Sequence, residues 1–312
     1  MNIYNGTRSF QVDRPILTVG SFDGVHLGHI KVLSRLTELA HRHNGVPVVF
    51  TFAPHPRQIL FPDEKMQLLT TTDEKIVYFQ RTGINHLIIY PFTKEFASMN
   101  YADFVHRILV EQLHIRALVV GHDHRFGANR EGAFERLLQL SAEQGFVVEQ
   151  SDALAADGTN ISSTCIRRAL MEGRLDRANH CLGYNYSLCG TVVKGRQLGR
   201  QLGFPTANIR ITDPAKLIPA SGVYGASVHV DGQRYCGMLN IGRNPSVGQP
   251  LQEPAIEVHI LNFDGNLYGH DITVELVFRL RDEQKFTSIE ALRNRLKADR
   301  LKIVEALEHL CV

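Results

Sequence analysis

Two stretches of this chain combine glycine with imidazole, hydroxyl, amide or carboxylate groups at spacings suited to phosphate chemistry. The first is Gly20-Ser21-Phe22-Asp23-Gly24-Val25-His26-Leu27-Gly28-His29. It follows the apolar run Ile16–Val19 and leads into a helical pattern, Gly28–His43. A helix start offers unpaired N–H groups and a partial positive charge, so it attracts phosphate. Gly20, Gly24 and Gly28 let a ligand come close to the backbone. His26 and His29 are three apart and can present both rings on one side of the turn. Two imidazoles there can donate hydrogen bonds to a pentavalent phosphorus and its departing pyrophosphate. A bare His-x-Gly-His is ordinarily a turn glycine beside surface histidines. The preceding strand and the following helix raise this one above that reading. Ser162, Ser163 and Thr164 bring hydroxyls to another helix start, with Arg167 one turn on. They form a natural clamp for β- and γ-phosphates. Taken alone they are only a good N-cap.

The second stretch runs from Gly195 to Asn208. Gly195, Gly199 and Gly203 recur every four residues, with Arg196 and Arg200 between them. Such an arch can wrap a polyphosphate through backbone N–H groups. It matches neither a Walker motif nor Gly-x-Gly-x-x-Gly, and a flexible surface loop is its ordinary alternative. Thr206 and Asn208 are two apart, so on an extended chain they point the same way. Both can reach a Mg²⁺, which takes few protein oxygens besides phosphate and water. The plainer reading is a Pro-initiated turn with local side-chain capping. Glu257 shares a strand face with His259 and Leu261. A carboxylate there can accept the proton of a hydroxyl attacking a γ-phosphate. A solvent-facing strand glutamate is the ordinary explanation.

The elements that must position these groups change character midway. In the first half, strand-like runs at Ile16–Val19, Val46–Phe52, His86–Pro91, Ala117–Val120 and Phe146–Val148 alternate with helical patterns. The helices are expected near Gly28–His43, Thr72–Arg81, Tyr101–Leu113 and Gly132–Gln144, with Thr71-x-x-Glu74 as a capping box. This alternation predicts an α/β, Rossmann-like parallel sheet that binds ligands at the carboxyl ends of its strands. A further helix is expected at Ser163–Glu172, and a domain boundary near Leu182–Ser187.

In the second half, Ser187–Val193, Gly225–Val230, Gln233–Leu239, Ile256–Phe263 and Asp271–Leu280 read as short antiparallel strands. Asp231-Gly232 and Asp264-Gly265 read as type I′ hairpin turns. The pattern predicts an antiparallel β-barrel with a terminal helix near Ser288–Leu310, capped through Thr287-x-x-Glu290. The domains expected are residues 1–183 and 187–312.

Bulk composition narrows the function classes. A chain of 312 residues supports two domains. The formal net charge of +2 offers no electrostatic case for nucleic acid or an anionic membrane as the main partner. No apolar run approaches a membrane span, and Met1–Gln11 lacks the apolar core of a signal peptide. A cytoplasmic protein is expected. Cys165, Cys181, Cys189, Cys236 and Cys311 are odd in number and widely spaced, which reads as free thiols. His26/His29 and His122/His124 are the nearest candidates for a metal pair, but spacing fixes no third ligand.

Several motifs together carry a resemblance. Gly20–His29, Phe52-Ala53-Pro54-His55-Pro56, Gly121-His122-Asp123-His124-Arg125-Phe126-Gly127 and Ile161–Arg167 resemble the bacterial FAD synthetase nucleotidylyltransferase domain, in that family's order. The resemblance implies ATP binding by Gly20, Phe22, Asp23, Gly24, Gly28, His26 and His29, and by Ser162, Ser163, Thr164 and Arg167. It places flavin near His55, Pro56, Asp123, Phe126 and Gly127, in a loop where many members carry an aromatic at the position of His124. Gly190–Gly195, Leu202–Asn208, Gly222–Gly225, Asn240–Gly242, Glu257–His259, Leu267–Gly269, Arg281–Phe286 and Asp299 look like riboflavin kinase. That likeness implies Mg²⁺ and nucleotide binding by Thr206 and Asn208, with Gly195, Gly199, Arg200 and Gly203 around the phosphates. It makes Glu257 the base.

Together the halves resemble the bacterial bifunctional riboflavin kinase/FMN adenylyltransferases. The implied path converts riboflavin and ATP to FMN, then FMN and a second ATP to FAD and pyrophosphate. The expected partners are small-molecule substrates, with no nucleic acid and no membrane; a homo-oligomer stays open. Two alternatives compete. One is an FMN adenylyltransferase whose barrel only senses flavin. The other is a nucleotidylyltransferase of other metabolism fused to an interaction module.

Overall fold

The computed structural model describes residues 1–122, 134–156, 158–195, 197–243, 254–308 and 310. Asp123, His124, Arg125, Phe126, Gly127, Arg196 and Cys311 lie outside the described residues. The chain divides into two compact units, Met1–Ser163 and Thr164–Val312.

The first unit is a six-stranded sheet. Its strands are β1 (Asn2–Asn5), β2 (Pro15–Val19), β3 (Val46–Ala53), β4 (His86–Pro91), β5 (Ala117–Val120) and β6 (Val147–Gln150). The order is β1-β4-β3-β2-β5-β6 and every pairing is parallel. Helices cover both faces, so neighbouring strand residues bury in opposite directions. Ile16, Val49, Leu87 and Val119 pack with Val32, Leu33, Leu36 and Leu39 of the helix Leu27–Arg42. Leu17, Val48, Ile88 and Leu118 pack with Phe104, Val105, Ile108 and Leu109 on the other side. This double burial is why the strands read as unbroken apolar runs.

Some expectations change in this unit. The expected helix Tyr101–Leu113 is one α turn, Tyr101–Asp103, followed by a π-helix, Phe104–Gln112. β1 escaped notice because it is a short, polar edge strand, fixed by its ladder to β4 rather than by apolar residues. The Thr71/Glu74 capping box forms as expected on the helix Thr72–Arg81. A two-stranded hairpin, β7 (Ala155–Ala156) and β8 (Thr159–Asn160), precedes Ser162.

The second unit is a closed barrel of β9 (Ser187–Val193), β10 (Ala207–Arg210), β11 (Gly222–Val230), β12 (Gln233–Gly242), β13 (Ala255–Ile260) and β14 (Asp271–Arg281). The order around it is β10-β13-β12-β11-β14-β9, antiparallel throughout. Asp231 and Gly232 take φ 46° and 79° between β11 and β12, as a type I′ turn requires. Asp264-Gly265 does not form the expected hairpin. β13 and β14 are not neighbours in the barrel, so no two-residue turn can join them, and neither residue has positive φ. The helix Leu175–Leu182 is tied on through Asn179. Its Nδ2 donates to the Leu276 carbonyl at 2.9 Å, and its Oδ1 accepts from the Tyr186 N–H at 2.9 Å.

The terminal helix is Ile289–Leu307. Its cap is Ser288, whose Oγ accepts from the Ala291 N–H at 3.1 Å, not Thr287. The expectation of five free thiols fails at Cys236, which is disulfide-bonded; Cys165, Cys181 and Cys189 are free. Spacing could not show this, because Cys236 on β12 meets the end of the terminal helix only in the folded barrel, its Sγ lying 3.8 Å from the Leu307 carbonyl. Ile303 and Leu307 of that helix pack with Leu202, Phe204 and Met238. Asp299, 1% exposed, is held by Arg281 at 2.7 and 2.9 Å and by Arg295 at 3.0 Å. Truncating one partner of a buried ion pair strands the other's charge. Asp299→Ala is therefore expected to destabilise this unit by about 3 kcal/mol. Urea denaturation measures it, and a change below about 1 kcal/mol would show that the cluster does not anchor the helix.

Candidate functional site

The first candidate site lies at the carboxyl end of β2. Gly20 N–H donates to the Phe50 carbonyl at 3.0 Å, which ends the ladder and releases the chain into a tight turn. Phe22, Gly24 and Val25 take φ 48°, 86° and 34°, all left-handed. Such backbone needs support where side chains are present. Asp23 supplies it. Its carboxylate, 1% exposed, accepts from the Leu69 and Thr70 N–H groups at 3.0 Å, and its backbone carbonyl accepts from Ser163 Oγ at 2.8 Å. The Gly24 N–H donates to Thr70 Oγ1 at 2.9 Å.

His26 is the N-cap of the helix Leu27–Arg42. Its Nδ1 accepts from the His29 N–H at 3.3 Å, so in the neutral ring the proton sits on Nε2, which can donate outward. The His26 and His29 rings stack with centroids 3.6 Å apart. A Cβ on Gly28 would come within 3.1 Å of the His26 ring, so a glycine here leaves that ring its place. His29 Nδ1 is buried and has no hydrogen-bond partner among the described residues. Burial, then His26, then Lys75 push the His29 pKa well below its usual value, so the ring is neutral at physiological pH.

Lys75 is the other unusual group. It is 5% exposed and donates from Nζ to the Ser21 carbonyl at 2.8 Å. Burial lowers its pKa from 10.5 to about 8, against the opposing pull of Asp23. A group whose pKa falls on folding adds stability above its unfolded pKa and loses it as pH drops to the folded one. Relative to pH above 10.5, Lys75 thus costs the fold about 3 kcal/mol below pH 8. Sequence reading missed Lys75, since a lysine inside an amphipathic helix looks like surface.

The other predicted residues of this region are placed as follows. His55 caps the helix Pro56–Leu60. Its Nδ1 accepts from the Arg57 N–H at 3.1 Å, and Gln58 closes the capping box. Pro56 is the first residue of that helix. Ser163 opens the helix Ser163–Met171, on which Thr164 and Arg167 follow in the second unit.

The second candidate site lies on one wall of the barrel. Asn208 on β10 stands directly opposite Glu257 on β13, and Asn240 on β12 stands opposite Glu257 on its other side. Directly opposed residues share a face, so two carboxamides flank the carboxylate. A Cβ on Gly195 would lie 2.2 Å from Asn208 Nδ2, and one on Gly199 would lie 2.3 Å from the Phe204 carbonyl and 3.3 Å from Thr206 Oγ1. The two glycines therefore let the Asn208 side chain and the Phe204 carbonyl pack directly against bare backbone, next to Thr206. Gly203 ends the short helix Leu198–Leu202 at φ 85°. Arg200 is exposed on that helix. Gln197 Nε2 reaches the Tyr268 hydroxyl at 3.2 Å, linking the glycine arch to the turn after β13. His259 Nδ1 lies 2.8 Å from the Pro205 carbonyl, next to Thr206 in the chain. Asn240 was not picked out as a site residue, because only strand register brings it to Glu257. A hydroxyl, two carboxamides and a carboxylate facing bare backbone are oxygen-rich, as hard cations and phosphates require.

Comparison with known proteins gives the following. The family model described as FAD synthetase matches residues 11–165, and that described as riboflavin kinase matches residues 182–307. The bifunctional riboflavin kinase/FMN adenylyltransferase of Pseudomonas fluorescens is 38% identical over 91% of this chain and 90% of its own length. The same-named protein of Escherichia coli K12 is 36% identical over 92% and 90%, and that of Listeria monocytogenes 37% over 91% and 90%. A crystal structure of a Streptococcus pneumoniae protein, described as a macrolide-efflux protein, superposes with a TM-score of 0.86 at 29% identity, covering 96% of this chain and 97% of that one. No helix among the described residues of this chain is long and apolar enough to cross a membrane.

The depressed pKa of His29 has a measurable consequence. The fold keeps the ring neutral while the unfolded chain protonates it, so stability is full above the usual pKa near 6.5 and falls as pH drops below it. In a histidine NMR titration the His29 ring protons should hold their neutral shifts at pH 6, where exposed histidines titrate. A midpoint near 6.5 for His29 would show that the ring is solvated.

Proposed function

We propose a residue-level division of labour from one premise: the chain belongs to the bifunctional riboflavin kinase/FMN adenylyltransferase family. Its activity is the phosphorylation of riboflavin to FMN and the adenylylation of FMN to FAD. The first step is assigned to residues 187–312 and the second to residues 1–183, each with its own ATP. A cytoplasmic setting fits two ATP-consuming steps.

The observation that carries the kinase assignment is the pairing of Asn208 with Glu257 across β10 and β13. A base must sit beside the groups that hold the phosphate, and strand register does this without depending on a loop. In this reading Thr206 and Asn208 would hold a Mg²⁺–nucleotide, with Gly195, Gly199, Gly203 and Arg200 next to the phosphates. Mg²⁺, when bound, neutralises phosphate charge. The terminal hydroxyl of riboflavin attacks the γ-phosphorus, Glu257 accepts its proton, and ADP leaves.

For adenylylation, the turn Gly20–Gly28 receives ATP against the helix start. Phe22, Asp23 and Gly24 shape that turn, and Ser162, Ser163, Thr164 and Arg167 hold the outer phosphates. An oxygen of the FMN phosphate attacks the α-phosphorus and pyrophosphate departs. The neutral imidazole of His29, with the His26 ring stacked beside it, donates to the charge that builds up. The unpartnered buried Nδ1 of His29 supports this, since an unpaired polar atom is costly to the fold alone. Flavin is assigned to the side of His55 and Pro56, with Asp123, Phe126 and Gly127 contributing.

Two substitutions separate the halves. His29→Ala should slow FAD formation by about a hundredfold, roughly 3 kcal/mol of barrier, and leave FMN formation intact. Unchanged adenylylation would reject the assignment. Glu257→Gln keeps the shape and removes the base, so FMN formation should fall by at least about a hundredfold while FMN is still converted to FAD. Normal kinase turnover in that variant would mean that another group takes the proton. Both are read from one chromatographic time course of riboflavin, FMN and FAD.

A further inference from the structure

We propose that Lys75 is a positioning residue of the adenylylation site: its ammonium, together with the Thr51 hydroxyl, orients the Ser21–Phe22 peptide so that the Phe22 N–H faces the triphosphate. This rests on the assignment of Gly20–His29 to ATP made above.

The geometry runs from the carbonyl outward. The Ser21 carbonyl accepts from Lys75 Nζ at 2.8 Å and from Thr51 Oγ1 at 3.2 Å. Both donors are buried, and Thr51 lies on β3, so the carbonyl is turned towards the sheet. In a planar trans peptide the C=O and the following N–H point in opposite directions. Fixing the Ser21 carbonyl inward therefore aims the Phe22 N–H outward. No described residue accepts from that N–H. Phe22 itself takes φ 48°, which a side-chain-bearing residue adopts only when its surroundings enforce it. Its ring is buried edge-on to Phe79 at 5.5 Å, so the side chain cannot follow if the peptide turns over.

The charge points the same way. Lys75 has no carboxylate within ion-pair distance among the described residues; Asp23 is felt electrostatically but spends its oxygens on Leu69 and Thr70. Burying an ammonium without an ion pair weakens a fold. A neutral amide would hold the carbonyl without that penalty. The ammonium gains its counter-charge when a polyanion occupies the turn, and its field adds to that of the helix start at His26.

The test uses the full chain with Lys75→Met and Thr51→Val. Met replaces the buried ion with an apolar chain of similar length, so the variant should melt no lower than the wild type. It should also form FMN at the wild-type rate. For adenylylation, the KM for ATP should rise about tenfold or more while the KM for FMN stays put. Thr51→Val should move the ATP constant in the same direction by less. ATP constants unchanged in both folded variants would overturn the proposal. So would a lowered melting midpoint with ATP and FMN constants shifted equally, because that is what loss of a purely structural contact produces. Should Lys75→Met not fold, Thr51→Val alone decides by the same two criteria. Wild-type protein that makes no FAD from FMN would sink the parent assignment instead, and that is read without either variant.

Discussion

The buried carboxylate of Asp23 is the tie that holds the turn after β2 in the first unit. Three left-handed residues around it, at φ 48°, 86° and 34°, would not persist in an unsupported loop. Asp23 accepts from two backbone N–H groups of the Leu69–Thr70 segment, and its own carbonyl receives Ser163 Oγ. One residue so joins the turn after β2, the approach to the helix Thr72–Arg81, and the chain leading into the helix Ser163–Met171. The open backbone of the turn, and the stacked imidazoles beyond it, are consequences of that tie.

The barrel solves a similar problem by different means. Its candidate residues are held by ladder register instead of by a buried charge. Asn208, Glu257 and Asn240 lie in one row across β10, β13 and β12. A shift of one residue in either pairing would turn the row to the opposite face. Closure protects it, because a barrel has no free edge from which register can slip. The contribution of glycine here is absence. Gly195 leaves room for the Asn208 side chain, whose Nδ2 would lie 2.2 Å from an added Cβ.

The two units also divide the electrostatic work. In the first, a neutral ring and a buried ammonium flank the turn proposed to receive ATP. In the second, a carboxylate sits between uncharged amides. Adenylylation needs donors to a phosphorus attacked by an already ionised phosphate. Phosphorylation of an alcohol needs somewhere for a proton to go. On the proposed assignment, the difference between the two acceptors matches the difference between the two sites.

Much of this was legible in the residues. The strand runs, the Thr71 capping box, the Asp231-Gly232 turn and the two phosphate-type motifs are local patterns, governed by neighbours a few positions away. Asp264-Gly265 shows where local reading ends. The same dipeptide makes a tight turn only if its flanking strands are adjacent, and barrel order keeps β13 and β14 apart. Lys75 carries no local signal, Asn240 stands out only within the Asn240–Gly242 motif, and Cys236 reads as a free thiol. Each acquired its role from a group distant in sequence: the Ser21 carbonyl, Glu257, and a disulfide. The sequence by itself determined which chemical groups are present and which local elements carry them. Tertiary structure decided which groups meet, because burial, register and backbone direction arise only once distant segments have packed.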